Sequence, residues 1–436
     1  MLILSASTAA MGGLLFGFDT AVISGVTRLI ADAYHLSPFR LGLTVSSALV
    51  GTVFGAMFAG PPADRWGRKR TLFSLAALYL LSALGCAFAW NWPALVFFRI
   101  VGGFGIGGSS VVGPMYIAEI APALKRGRLV GLFQFNICTG ILLAYASNYV
   151  IGIAMSGPLE WRWKLGIAAI PALLFGGFIT AIPESPRWLL SQRRETDALT
   201  TLRLMGEESC DEVLNQMLDA READKRGSRS RLWTKAHAFP IFLAISLGMF
   251  NQLSGINAIL YYINDIFAQA GFDKVSSSLQ AIAVGATNLV FTVVAMSVID
   301  KLGRRMLLLA GAVGTAMCLA GVASIFTYGV HRDLLVWLLV AFIGFFSFSQ
   351  GAVIWVYLSE IFPNNIRASG ASLGSLTHWL MNAFISGLYP VVAARYGGKP
   401  FGFFAGMMVV QFIVVLYFYP ETKGMALEQV QLKISN

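Results

Sequence analysis

The sequence predicts an all-α membrane protein, with twelve transmembrane helices in two pseudo-twofold six-helix bundles. Three observations carry this. The 436 residues are 56% hydrophobic and only 12% charged, whereas soluble domains carry about 25% charged residues. Apolar runs of about 20 residues, enough to cross a bilayer, recur along the chain. Short motifs from the first half return in order in the second.

The predicted spans are 6–28, 41–62, 71–90, 93–116, 129–151 and 163–182, then 239–263, 278–299, 306–328, 334–358, 369–393 and 401–420. The 45 glycines suit helices packed closely in lipid. The apolar N-terminus lacks an A-x-A-like cleavage site, so the first segment is expected to be retained as a span. Residues 1–182 form the first bundle, 239–420 the second, and 421–436 a cytoplasmic tail. Between the bundles, 183–238 is polar. Its patterning in "ETDALTTLRLMGEE" and "EVLNQMLDAREADKR" reads as short amphipathic helices, with a flexible linker as the alternative.

Most of the 32 Lys and Arg lie in 63–70, 117–128, 183–238, 300–305, 359–368 and the C-terminus. The positive-inside rule makes that side, and both termini, cytoplasmic. The net charge of +10 is therefore mostly topology, with no nucleic-acid partner implied. Cys86, Cys138, Cys210 and Cys318 have no metal or disulfide spacing, and the four histidines are scattered. No metal, no cofactor and no enzyme are expected: no nucleophile–base set or phosphate loop is visible.

Repetition joins the halves. "DRWGRKR" from Asp64 matches "DKLGRR" from Asp300, and "PESP" from Pro183 matches "PETK" from Pro420. Glu119, Pro122 and Arg126 fall on Glu360, Pro363 and Arg367, and "FGFDTAV" falls on "SGINAIL", placing Asp19 on Asn257. Four ordered matches at nearly one offset indicate duplicated bundles, which suit a carrier rocking around a midplane site. The charged turns are candidate cytoplasmic latches: Asp64, Arg65, Arg68, Glu119 and Arg126, with Asp300, Arg304, Arg305, Glu360 and Arg367. The spacing pairs Glu119 with Arg126 and Glu360 with Arg367. Simple positive-inside anchoring is the plainer alternative.

Of the 22 acids, Asp19 is set apart by its place well inside a span. An Asp there costs roughly 2.5–3.5 kcal/mol on insertion scales, so it needs a partner or a task. Arg99 is the basic counterpart inside the fourth span, and the two are expected to meet. Pairing favours the charged form of Asp19 and burial the neutral form, so its proton occupancy can change with conformation. A permanent structural ion pair is the alternative. Uncharged polar residues also cluster in the spans: Gln134, Asn251, Gln252, Asn257, Tyr261, Tyr262, Asn288, His378 and Trp379. Amides donate and accept at once, as adjacent sugar hydroxyls require, and Trp355 and Trp379 offer flat faces to a sugar ring. Asn251, Asn257 and Tyr261 are expected near one helical face, loosened by Gly255. Each amide alone could equally be interhelical glue. His378 could bind ligand, carry a second proton or simply pack.

On "GLLFGFDTAVISG", "DRWGRKR", "RIVGGFGIGG", "PMYIAEIAPALKRG", "PESPRWLL", "NQLSGINAILYY", "DKLGRR", "SEIFPNNIR" and "PETKG", the chain resembles a sugar porter of the major facilitator superfamily over nearly its full length. The resemblance implies a monosaccharide site formed by Gln134, Gln252, Asn257, Asn288 and Trp355, with Phe16 and Phe346 as apolar walls. It implies that Asp19 and Arg99 are the coupling pair of a proton symporter, working as a monomer in a bacterial inner membrane. Facilitators of the family carry Asn where Asp19 stands. Two departures, Asn251 for the first Gln of the usual pair and His378 for the amide before Trp379, bear on which sugar is taken. A facilitator without proton coupling is the alternative; a sensor lacks a long signalling tail, and a drug antiporter would expel hydrophobic cations.

Overall fold

The computed structural model describes all residues except 123–124, 156, 208, 216, 219–231, 363–365 and 424–436, and the side chains of 236, 300 and 368. Backbone amides in hydrocarbon must bond within their own segment, and each predicted span is accordingly helical. The first half contains α1 (Leu2–Val22), continued by a 3-10 turn at Ile23–Gly25, then α2 (Thr27–Tyr34), α3 (Pro38–Phe58), α4 (Gly60–Trp66), α5 (Arg68–Ala87), α6 (Trp92–Ile120), α7 (Arg126–Ala154), α8 (Glu160–Gly166) and α9 (Ala169–Ala181). Short helices α10 (Pro186–Ser191) and α11 (Glu195–Leu204) follow, packing Leu189, Leu190, Ala198 and Leu202 into a small core with Cys210 and Leu214. They occupy the start of the predicted amphipathic segment, whereas much of "EVLNQMLDAREADKR" lies outside the described residues.

The second half contains α12 (Ala238–Leu253), α13 (Ile256–Gln269), α14 (Lys274–Leu302), α15 (Arg304–Tyr328), α16 (Leu334–Phe348), α17 (Gln350–Glu360), α18 (Arg367–Tyr396) and α19 (Lys399–Phe418). Among the described residues, eleven helical segments are long and apolar enough to cross a membrane. The predicted span at 369–393 is the 30-residue α18, whose Ser375, Thr377, His378 and Asn382 dilute its apolar character. Spans seven and ten are each two helices in sequence, broken at Gly255 and at Ser349.

Packing divides the chain into two compact units. One comprises 1–22, 47–147 and 155–228; the other comprises 23–46, 148–154 and 229–436. The segment 23–46 falls in the second unit because it is knitted to it, and 148–154 joins it with Asn148 against Gly25. Arg28 Nε meets Asp265 Oδ1 at 2.8 Å, Asn264 Nδ2 donates to the Ser24 carbonyl at 3.2 Å, and Gly42 packs on the Gly387 carbonyl.

Close helix approach in the first unit depends on glycine. A Cβ on Gly17 would lie 1.9 Å from the Ile137 carbonyl oxygen, one on Gly103 would lie 1.8 Å from that of Ala48, and one on Gly107 would lie 2.0 Å from that of Thr52. These small residues let α1 touch the backbone of α7, and α6 that of α3. The core between them holds Leu72, Tyr116, Ile117, Phe133 and Phe175. The second unit has its own core around Leu308, Ile354, Tyr357, Phe362 and Val415.

Gly103→Val is expected to lower the thermal unfolding temperature of the detergent-solubilised protein, since overpacking costs about 1–3 kcal/mol or more. Gly177→Ala, where a Cβ meets nothing within 4 Å, should leave it unchanged or slightly raised. Equal effects of both substitutions would contradict the close-approach account.

Candidate functional site

In the first unit, α1 and α6 run side by side in opposite directions. Gly113 approaches the Ala9 carbonyl and Gly12 faces Ser109, and the same register brings Asp19 to Arg99. The guanidinium is bidentate: Nη1 donates to Asp19 Oδ1 and Nη2 to Oδ2, each at 3.4 Å. The two partners differ in access, with the Arg99 side chain 3% and the Asp19 side chain 25% exposed. The contact is long for a charge-assisted pair, which closes to about 2.7–2.9 Å at full strength. Phe16 and Gln134 belong to the same unit. Phe16 packs against its core, and Gln134 Nε2 points to Cys138 Sγ at 3.8 Å.

Asp19 and Arg99 are not the only buried charges. Glu160 and Lys164 pair at 2.7 Å at the start of the sixth span, both almost fully buried. The sequence places them at a helix end, but Arg162 ties that end down by donating to the carbonyls of Ala87 and Ala89.

The second unit gathers most of the neutral polar residues. Asn257 Nδ2 donates to Gln252 Oε1 at 2.9 Å, and Gln252 Nε2 donates to Asn251 Oδ1 at 3.0 Å. Gln252 Nε2 also lies 3.3 Å from the His378 ring nitrogens. His378 is flanked by Trp355 and Trp379, with ring centroids 5.2 and 5.0 Å away. Trp355 keeps 40% of its surface exposed, leaving a ring face available. Asn288 stands apart from this chain, its Oδ1 accepting from Ser347 and Thr292 hydroxyls at 3.1 and 3.4 Å. Phe346 is buried, stacked on Phe342.

The single helical face expected for Asn251, Asn257 and Tyr261 is not formed. Gly255 takes φ +78°, where a Cβ would come within 2.4 Å of Phe404, so α12 ends before it and α13 starts anew. Asn251 and Asn257 thus come from two helices, and their amides face each other through Gln252. Tyr261 is buried, and Tyr262 donates to the Ser386 carbonyl and stacks on Tyr389.

The charged turns build the same device in each unit. Arg68 donates from Nε and Nη2 to Glu119, both at 3.0 Å, and its Nη1 reaches Asp64 Oδ1 at 3.2 Å. Arg304 Nη2 donates to Glu360 at 2.9 Å. The partners of Glu119 and Glu360 are therefore these arginines, not the expected Arg126 and Arg367. Arg126 is exposed at the first turn of α7, and Arg367 donates to the Phe362 carbonyl. Arg65 is exposed, Arg305 donates through its side chain to the Leu416 carbonyl, and the side chain of Asp300 lies outside the described residues.

Sequence reasoning missed the carboxylates that complete this device. Glu184 Oε1 accepts from the backbone N–H of Arg68 and Lys69 at 2.9 and 3.1 Å. Glu421 does the same for Arg304 and Arg305 at 2.9 and 3.1 Å. Each caps a helix whose opening N–H groups have no intrahelical partner. Gly67 and Gly303, at φ +97° and +91°, leave room for those carboxylates. Ser185 and Thr422 donate hydroxyls to Glu119 and Glu360, while Tyr116 and Tyr357 donate to the Pro183 and Pro420 carbonyls. The signal was present in the "PESP" and "PETK" repeat, whose offset of 237 lies one residue from the 236 between Arg68 and Arg304, the residues they cap.

Duplicated helical halves, a buried ion pair and a cluster of neutral amides beside a broken helix describe a secondary membrane carrier. A model of the family described as sugar (and other) transporter matches residues 5–433, and the chain belongs to that family. It is an integral membrane protein. It is 35% identical over 438 residues to an arabinose-proton symporter of Bacillus subtilis (strain 168), covering 98% of this chain and 94% of that protein. It is 35% identical over 464 residues to a D-xylose-proton symporter of Escherichia coli (strain K12), covering 97% and 94%. A partially occluded inward-open structure of the xylose transporter XylE from E. coli superposes with a TM-score of 0.87 at 33% identity, covering 97% of this chain and 99% of that one.

Burial lifts the Glu184 carboxyl above its ordinary value of 4.5, against the lowering pull of the Ser185, Lys69 and Arg68 N–H donors and the Arg68 charge. Stability linked to this raised group is fully present below pH 4.5 and is lost as pH rises through its native value. Thermal unfolding followed from pH 4.5 to 7 should therefore show a downward slope that shrinks in Glu184→Gln. An unchanged slope in that variant would assign the titration elsewhere.

Proposed function

We propose that the chain is a proton-coupled symporter that imports a monosaccharide, a hexose or pentose, across a bacterial inner membrane by alternating access. The observation that carries this is the Asp19–Arg99 pair, in a family whose relatives are named as sugar–proton symporters. The acid is the more exposed partner, and its contact with Arg99 is already long. Protonating it therefore gives up little direct bonding, while it removes the counter-charge of a buried guanidinium. Proton occupancy and the packing of α1 on α6 become linked, which is the physical requirement for coupling.

Sugar recognition falls to neutral groups: Asn251, Gln252, Asn257, Asn288 and His378, with Gln134 from the first unit. Trp355 and Trp379 supply ring faces, and Phe16 and Phe346 supply apolar walls. An uncharged polyhydroxy ligand can exchange its hydroxyls into this amide chain, because each amide both donates and accepts. Both termini are assigned to the cytoplasm by the Lys and Arg distribution. There the paired turns, with Asp64, Arg68 and Glu119 in one half and Arg304 and Glu360 in the other, act as latches. The bundles 1–182 and 239–420 are the moving bodies, the segment 183–238 is cytoplasmic, and the monomer is the transporting unit.

In proteoliposomes, labelled D-xylose, L-arabinose or D-glucose should accumulate under an inward proton gradient. Asp19→Asn should abolish accumulation, bringing the internal concentration level with the external one, while counterflow persists. Equilibration without accumulation by both native chain and variant would make the protein a facilitator and the ion pair structural.

Gln252→Ala removes the amide that touches Asn251, Asn257 and His378 together, and should weaken sugar binding by at least about tenfold, equivalent to 1.4 kcal/mol. Native affinity in this variant, read by equilibrium binding of the labelled sugar, would place the sugar elsewhere.

A further inference from the structure

The tenth span is broken without proline. α16 stops at Phe348, Ser349 takes φ −116° and ψ −89°, and α17 restarts at Gln350. Ser349 Oγ donates back to the Phe345 carbonyl at 2.6 Å. It occupies room left by Gly311, where a Cβ would lie 1.8 Å from that hydroxyl.

Gln350 itself is 0% exposed. Its Nε2 donates to Gln411 Oε1 at 2.9 Å and to Met408 Sδ at 3.3 Å, both on α19. Its Oε1 is buried with no hydrogen-bond partner among the described residues. An amide held by one end in an apolar interior is less stable than a leucine in the same place, so packing alone does not account for it.

The backbone of Gln350 leads to the sugar-facing amides. Asn251 Nδ2 donates to the Gln350 carbonyl at 3.4 Å, and Asn251 Oδ1 accepts from Gln252, which in turn accepts from Asn257. Gln411, Gln350, Asn251, Gln252 and Asn257 are therefore one continuous polar chain running from α19 to α13. Phe346 and Trp355, two further residues of the candidate site, flank the break on its two sides.

We propose that Gln350 and Gln411 are positioning residues for sugar binding. Their side-chain bond fixes the break in the tenth span. The Gln350 carbonyl, held there, sets the orientation of Asn251 and through it the amide row presented to the sugar. This rests on the reading of Asn251, Gln252 and Asn257 as sugar-facing groups.

The test measures two quantities on the full-length purified chain: equilibrium binding of labelled D-xylose, L-arabinose and D-glucose, and thermal unfolding temperature. Gln350→Leu and Gln411→Leu each leave an unpaired buried amide and should lower the unfolding temperature. The Gln350→Leu/Gln411→Leu double variant removes both amides and should recover it, while its affinity stays about five- to tenfold weaker than native. Recovery of native affinity together with stability overturns the proposal and makes the pair packing only. Gln350→Met, close in volume and without an amide, repeats the affinity measurement if the leucine variants do not fold. In an Asn251→Ala background the Gln350 substitution should cost no further affinity; a fully additive loss overturns the route through Asn251. If the native chain binds none of these sugars, the reading of the site fails and the proposal falls with it. Native binding with native-like variants sinks the proposal alone.

Discussion

Inside a bilayer no water completes a polar group away from a cavity, so the polar residues of the spans draw most of their partners from protein. The two principal polar centres follow from this constraint. Asp19 would be costly alone in α1, and Arg99 more so in α6; each is tolerable because the other stands 3.4 Å away. The amides of the second unit obey the same rule without charge, each borrowing a donor or acceptor from the next: Asn257 from Gln252, Gln252 from Asn251, Asn251 from the Gln350 backbone. Amides that hold one another through single hydrogen bonds are also groups whose partners a ligand can replace. A carrier needs that property, and a purely apolar core does not have it.

Glycine makes the pairing geometrically possible. Asp and Arg side chains meet across α1 and α6 because Gly12 and Gly113 remove the side chains that would hold those helices apart. In the second unit Gly255 acts differently: its positive φ ends α12 and aims Asn251 and Asn257 at a common amide. The same residue type thus sets spacing in one place and direction in another. Ser349 breaks the tenth span with neither glycine nor proline at the break itself, drawing its space from Gly311 on α15.

The charged turns show how duplication preserves physics rather than sequence. Ser185 and Thr422 differ, as do the residues after them, yet both hydroxyls bind the glutamate that holds the arginine of the same half. Glu184 and Glu421 each satisfy two opening N–H groups of a long helix. A negative group at a helix N-terminus is favourable on its own. Here it also joins the start of one helix to the segment after the last span of each half.

Much of this architecture was legible in one dimension. Apolar run length follows bilayer thickness, so the spans were placed to within a few residues, and Asp19 and Arg99 stood out as charges where charge is expensive. The repeat named the right motifs. It did not name the right pairs: Arg126 lies seven residues from Glu119, but Arg68, far off in sequence, is the residue that reaches it. Proximity along the chain is a poor guide once helices return side by side. The role of Gly255 was likewise half visible; a helix merely loosened and a helix broken differ by one dihedral angle, and no local pattern separates them. Gln350 was invisible because a single amide in an apolar run carries no signal until Gln411 and Asn251 are seen around it. By itself the sequence determined the class of molecule, its spans and the mid-span charges Asp19 and Arg99, since these depend on composition and length, but not the buried Glu160–Lys164 pair. The tertiary structure alone decided which polar groups meet, because that depends on helix register and on backbone breaks set by packing.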